Sequence, residues 1–142
     1  MFPIPLVLFR TILIKLDKIK IVIGESQFLI RAGLETLINA NSNFVLKGQF
    51  EKEADIRSVI VSVKPDVVIL DYLSKNFSIE HIKKIKDASP DSRILVISSD
   101  LVRENIFRAI ELGANSFVTK NCSEQEIINA IIATSKNERF FC

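Results

Sequence analysis

Residues 65–73 read PDVVILDYL, and this stretch constrains the chain more than any other. Val67 to Leu70 are apolar, three of the four are β-branched, and Asp71 follows them directly. A short run of this kind reads as a strand buried on both faces, the state of a parallel strand under two layers of helix. A carboxylate at its C-terminal end then lies at the sheet edge where open α/β folds place their chemistry. An aspartate that merely opens a loop would look the same, so the other segments must decide.

Those segments alternate from Lys18 onward. IKIVIG (Ile19–Gly24) is an apolar run ended by glycine, and Ser26 to Ala40 carries Ile30, Leu34, Leu37 and Ile38 at helical spacing. FVLKGQ (Phe44–Gln49) is a more polar strand, and a helix with Ile56, Val59, Ile60 and Val63 stops before Pro65. After the Asp71 strand, a helix bearing Ile79, Ile82 and Ile85 closes at Ser89-Pro90. RILVISS (Arg93–Ser99) is the fourth strand, and its helix carries Val102, Ile106, Ala109 and Ile110 up to a cap glycine at Gly113. SFVTK (Ser116–Lys120) is the fifth strand, and Ser123 with Glu126 forms a capping box for a last helix marked by Ile127 and Ile131.

Strict β–α alternation implies an α/β domain with a parallel sheet, right-handed crossovers and helices on both faces. The first, third and fourth strands are the most apolar. Polar strands belong at edges, which gives the order 2-1-3-4-5. In that order Glu25, Asp71, Ser98 and Lys120 converge on one sheet edge from four separate strands, and helix capping does not explain such a convergence.

The composition excludes several other classes. With 142 residues, 48% hydrophobic and 25% charged, the chain suits one domain with a real core. A net charge of +2 gives no case for nucleic acid or membrane as a direct partner. Cys122 and Cys142 form no CxxC pair and have no histidine nearby, which suggests a reducing compartment and no metal cluster. His81, in a polar helical stretch, reads as a solvated surface residue. Residues 1–17 form an apolar N-terminal extension outside the core, too short and too interrupted by Pro3, Pro5, Arg10 and Lys15 to span a bilayer. The domain itself covers 18–138, and 139–142 begin a linker or end the chain.

IVIGESQFLIRAGLETLI, PDVVILD, RILVISS and LGANSFVTKNCSEQEIINAI together resemble the receiver domains of two-component response regulators, nearest to those of LuxR-type transcription regulators. The resemblance implies a flavodoxin-like (βα)5 sandwich and assigns Asp71 as phosphoacceptor. It places Ser98 as the switch hydroxyl, Phe117 as the switch aromatic and Lys120 as the phosphoryl-binding lysine. It further implies Mg²⁺ held by Glu25, Asp71 and the Leu73 backbone carbonyl, a sensor histidine kinase as partner, homodimer formation, cytoplasmic location and a role in transcription regulation. No enzyme activity beyond self-phosphotransfer and autodephosphorylation is expected. A C-terminal helix-turn-helix output domain is usual in such regulators, and it is absent from these residues.

Two departures from the family pattern stand out. The usual pair of carboxylates after the first strand is here Glu25-Ser26, so Ser26 is a weak ligand or acts through a water, and weak metal binding is expected. The loop after Asp71 is YLSKNFS, where Leu73 offers no side chain to orient a hydrolytic water. The first rival reading is a degenerate receiver, a docking or dimerisation module independent of phosphorylation. A second, an unrelated nucleotide binder of the same fold, lacks any glycine-rich phosphate loop.

Overall fold

A computed structural model describes residues 3–8 and 17–142. Of the N-terminal extension, Met1, Phe2 and residues 9–16 lie outside the described residues, while Ile4, Leu6, Val7 and Leu8 are each at least half exposed. Among the described residues no helix is long and apolar enough to cross a membrane.

Five strands form one parallel sheet: β1 (Ile19–Gly24), β2 (Phe44–Phe50), β3 (Val67–Leu70), β4 (Arg93–Ser98) and β5 (Ala114–Thr119). Their order is β2-β1-β3-β4-β5, as the polarity of the runs predicted. The helices that follow them are α1 (Phe28–Asn39), α2 (Ile56–Val63), α3 (His81–Ala88), α4 (Arg103–Glu111) and α5 (Glu124–Ser135). A short 3-10 turn, Glu53–Asp55, leads into α2.

The period of two along each strand divides the core. Val22, Val68, Leu70, Ile94, Val96 and Phe117 face α2, α3 and α4, whose Ile56, Ile60, Ile82, Ile85 and Ala109 complete one cluster. Ile21, Ile23, Val67, Ile69, Leu95, Ile97 and Val118 face the other way, against Leu34 and Ile38 of α1 and Ala130 and Ile131 of α5. Each isoleucine so buried contributes roughly 1.5–3 kcal/mol relative to exposure, so the two-sided core is the main source of stability.

Local signals end the helices where expected. Lys64, before Pro65, takes φ 49° and stops α2. Gly113 after α4 has φ +121°, and a Cβ there would lie 2.6 Å from Lys86 Cγ. Ser123 Oγ accepts from the Glu126 amide and Glu126 Oε1 accepts from the Ser123 amide, so the capping box is formed.

Two expectations require correction. His81 is not solvated: its side chain is 13% exposed, its Nδ1 accepts from the Ser78 amide, and its Nε2 lies 3.4 Å from Glu53 Oε2. The preceding turn folds Phe77 edge-on against the ring, which helical periodicity does not reveal. The cysteines are not separate thiols either, since Cys122 and Cys142 form a disulfide with Cα atoms 6.4 Å apart. Helix α5 runs back along the sheet, and the segment after it returns beside β5, where Phe141 forms a parallel bridge with Phe117. A sequence separation of 20 residues therefore closes into contact.

Candidate functional site

Glu25, Asp71 and Lys120 each stand one position past the end of a strand, held there by a backbone bond to the neighbouring strand. The Glu25 amide donates to Phe50 O, the Asp71 amide to Gly24 O, and the Lys120 amide to Ser98 O. The ladder thus continues just past the strands, and the side chains leave it at one edge. At Gly24 the Phe50 ring packs directly over the backbone, and a Cβ there would lie 2.3 Å from Phe50 Cε2.

Lys120 Nζ lies 2.7 Å from Asp71 Oδ2 and 4.0 Å from Glu25 Oε2, and it also donates to Gln27 Oε1 at 3.1 Å. Asp71 is 3% exposed and Glu25 1%. Burial pushes the Glu25 carboxyl above its ordinary range, and the Asp71 charge adds to this, opposed by the Gln27 amide and by Lys120. Two buried carboxylates therefore share one ammonium, a local excess of negative charge.

Two buried polar atoms beside this excess, Glu25 Oε2 and Ser26 Oγ, accept or donate no hydrogen bond among the described residues. An orphaned carboxylate oxygen is costly unless something else satisfies it, and a hard divalent ion with oxygen ligands would. The donors present fit that group: two carboxylates, one hydroxyl, and the backbone of a loop held close. That loop is fixed by Asp71 itself, whose Oδ1 accepts the Leu73 amide at 3.0 Å and whose carbonyl accepts the Ser74 hydroxyl at 2.9 Å. Leu73 is 52% exposed, so its side chain is directed away from the core.

Ser98 is fully buried at the end of β4, and its Oγ accepts the Asp100 amide at 3.1 Å. Phe117, 3% exposed, packs edge-on against Tyr72 with ring centroids 6.3 Å apart. The structure therefore gathers Glu25, Ser26, Asp71 and Lys120 directly, with Ser98 and Phe117 on the adjoining strands.

Sequence reasoning missed six supporting residues: Gln27, Arg31, Tyr72, Ser74, Asp100 and Asn105. Gln27 holds Lys120 Nζ and donates its amide to Glu25 Oε1. Arg31 donates to the Glu25 carbonyl and pairs with Glu51 at 3.1 Å. Ser74 caps the Asp71 carbonyl. Tyr72 donates to Asp100 Oδ2, and Asn105 Nδ2 donates to the same oxygen. Position is the signal that points to these residues, since most sit within three residues of an assigned one.

Residues 21–132 match the family model of the response regulator receiver domain, and the chain belongs to that family. It is similar to an uncharacterized transcriptional regulatory protein, YxjL, of Bacillus subtilis: 31% identity over 126 residues, covering 88% of this chain and 58% of the relative. It is also similar to the response regulator VraR of Staphylococcus aureus, at 23% identity over 87% of this chain and 59% of that protein. The chain thus spans less than two thirds of the length of these relatives. Among solved structures it superimposes on the signal receiver domain of the putative response regulator NarL from Mycobacterium tuberculosis, with a TM-score of 0.78, 23% identity and coverage of 84% and 98%. A LuxR-family two-component response regulator from Aurantimonas gives 0.81 at 22% identity, covering 87% of this chain and 89% of that one. These two likenesses concern the fold.

Proposed function

We propose that this receiver domain is switched by phosphorylation of Asp71. The donor is the phosphohistidine of a sensor histidine kinase. The observation that carries this reading is the Lys120 ammonium 2.7 Å from Asp71 Oδ2, beside a buried Glu25 oxygen that accepts no hydrogen bond among the described residues. The Asp71 carboxylate is already the nucleophile and needs no base. As its oxygen bonds to phosphorus, the N–P bond of the donor breaks and the imidazole leaves with the electron pair. Lys120 supplies positive charge to the phosphoryl oxygens, and the Ser98 hydroxyl donates to them once it releases the Asp100 amide. Glu25, Asp71, the Leu73 carbonyl and, through a water, Ser26 would hold Mg²⁺, which would neutralise further charge on the same oxygens.

The new charge of about −1.5 to −2 at one edge must bias a surface to become a signal. We place that surface on β4, α4 and β5, where Ser98 and Phe117 sit, with self-association as the readout. In a longer regulator the same surface serves docking of a DNA-binding output half and transcription control in the cytoplasm. Intact mass after incubation with acetyl phosphate and Mg²⁺ tests the reading. The wild type gains one phosphoryl group and Asp71→Asn does not; equal labelling of both proteins rejects the assignment.

A further inference from the structure

The segment after α5 is built into the fold in a way that the phosphoryl site does not use. β5 is an edge strand, and its outer side is covered by residues 140–142. The Phe117 amide donates to Phe140 O at 3.0 Å, the Cys142 amide donates to Phe117 O at 3.3 Å, and the Phe140 amide donates to Ser116 Oγ at 3.0 Å. Phe140 is half-buried against the α1–α5 side of the core. At the upper end of this short ribbon, Cys142 is bonded to Cys122, two residues beyond Lys120.

The bridge is reachable and its open form is accommodated. Cys142 is exposed and Cys122 half-buried, so an attacking thiolate has a path to Cys142 Sγ. Glu126 Oε2 lies 2.7 Å from Cys142 Sγ and Thr119 Oγ1 lies 3.5 Å from Cys122 Sγ. A released Cys142 thiol finds an acceptor in Glu126, and a released Cys122 thiol finds one in Thr119. Oxidised, the two sulfurs are bonded to each other and are not thiolate ligands, so the nearby Glu126 does not make the group a metal centre.

We propose that Cys122 and Cys142 form a thiol–disulfide site for low-molecular-weight thiols, whose oxidation state sets whether residues 139–142 are held on the edge of β5. Opening proceeds by attack of a small thiolate on Cys142 Sγ. A mixed disulfide forms there, the Cys122–Cys142 bond breaks, and Cys122 leaves as a thiolate that takes up a proton. A second small thiolate attacks the outer sulfur of the mixed disulfide, forming the small-molecule disulfide and releasing Cys142. Two small thiols are oxidised to one disulfide as the protein gains two electrons and two protons. Closing is the reverse, with the small disulfide as oxidant. In a reducing cytosol the open form dominates, and a shift of the thiol pool toward disulfide closes it. Closure fastens the segment beside the strand that carries Phe117 and the loop after Lys120, and it masks an edge otherwise open to pairing.

The test equilibrates the 142-residue chain in glutathione buffers of stepped ratio, traps thiols by alkylation at low pH, and maps peptides. The expected result is a Cys122–Cys142 cross-linked peptide in disulfide-rich buffer and both cysteines alkylated in thiol-rich buffer, with the protein monomeric in both. Amide exchange at Phe117 should be at least about tenfold faster in the reduced form, because the disulfide confines the closing loop. Cys142→Ser, and separately Cys122→Ala, should show the fast rate in both buffers. Three results overturn the proposal: alkylation of both cysteines at every ratio, a cross-link joining two copies of the chain, or equal Phe117 protection in the two states.

Discussion

Tyr72 and Asp100 share a buried hydrogen bond of 2.6 Å, with the phenol donating to the carboxylate across 28 residues of sequence. Tyr72 directly follows Asp71, and Asp100 donates its amide to Ser98 Oγ. The bond therefore ties the loop of the acceptor to the loop of the switch hydroxyl, and Phe117 packs on the same tyrosine ring. Tyr72→Phe leaves Asp100 with the Asn105 and Val102 donors only. It should cost about 1.5–3 kcal/mol, the range for a hydrogen bond to a buried charge, read as a lower urea midpoint at unchanged slope.

The same pair sets a pH window. Burial acts to raise the Asp100 carboxyl, but bonds from Tyr72, the Val102 amide and Asn105 outweigh it and hold the group below its ordinary value. Its contribution is present above the unfolded value of about 3.9 and is lost as pH falls through the folded one. Burial and the Asp100 bond raise the Tyr72 phenol, so its contribution is present below about 10 and is lost as pH rises through the folded value. The stability difference between wild type and Tyr72→Phe should be flat from about pH 4 to 10 and shrink outside it. A difference that stays constant down to about pH 2 would remove Asp100 from this account.

Ser26→Asp should tighten Mg²⁺ binding. A further carboxylate about 4 Å from the divalent ion adds roughly 8 kcal/mol of attraction at an effective dielectric of ~20, offset by desolvation and by repulsion from Glu25 and Asp71. A net gain of ~1.4–2.8 kcal/mol corresponds to a tenfold to hundredfold lower Kd by calorimetric titration. Without Mg²⁺ the same substitution should lower Tm, since three carboxylates then face one lysine. Unchanged affinity would mean that Glu25 already completes the ligand set.

Leu101, Val102 and Phe107 are 74%, 51% and 57% exposed around α4, while Arg108 on the same helix pairs with Glu80 at 2.5 Å. Phosphodonor should change hydrogen-exchange protection between Ser98 and Lys120 and leave Phe44–Gln49 unaffected. Phe107→Lys should weaken self-association of the phosphorylated protein with no change in labelling at Asp71. Unchanged protection from Ser98 to Lys120 in fully phosphorylated protein would show that the switch is not transmitted.

Gly24→Ala places a methyl group against the Phe50 ring, which is 2% exposed and packed edge-on to Phe77. Overpacking of this kind costs about 1–3 kcal/mol, and Tm should fall accordingly. Because Gly24 O also anchors the Asp71 amide, phosphorylation should slow as well. A variant as stable as wild type would mean that Phe50 relocates freely.

What the sequence determined by itself is the frame. The two periodicities, 2 in the strands and 3.6 in the helices, reflect which side chains must leave water, and they are local properties. They located the strands and helices in chain order, and the polarity of Phe44–Gln49 and of the fifth strand placed those two at the edges. Because strand ends in a parallel sheet share one edge, the strand order alone gathers Glu25, Asp71, Ser98 and Lys120. What only the tertiary structure decided are the pairings between residues with no common period. Tyr72 meets Asp100, Gln27 meets Lys120, and His81 meets Glu53 because loops from different strands are packed at one edge or over one helix. Cys122 and Cys142 are the extreme case. Their spacing matches no motif, and they meet because α5 carries the chain away along the sheet and the edge of β5 provides unpaired backbone groups that bring it back.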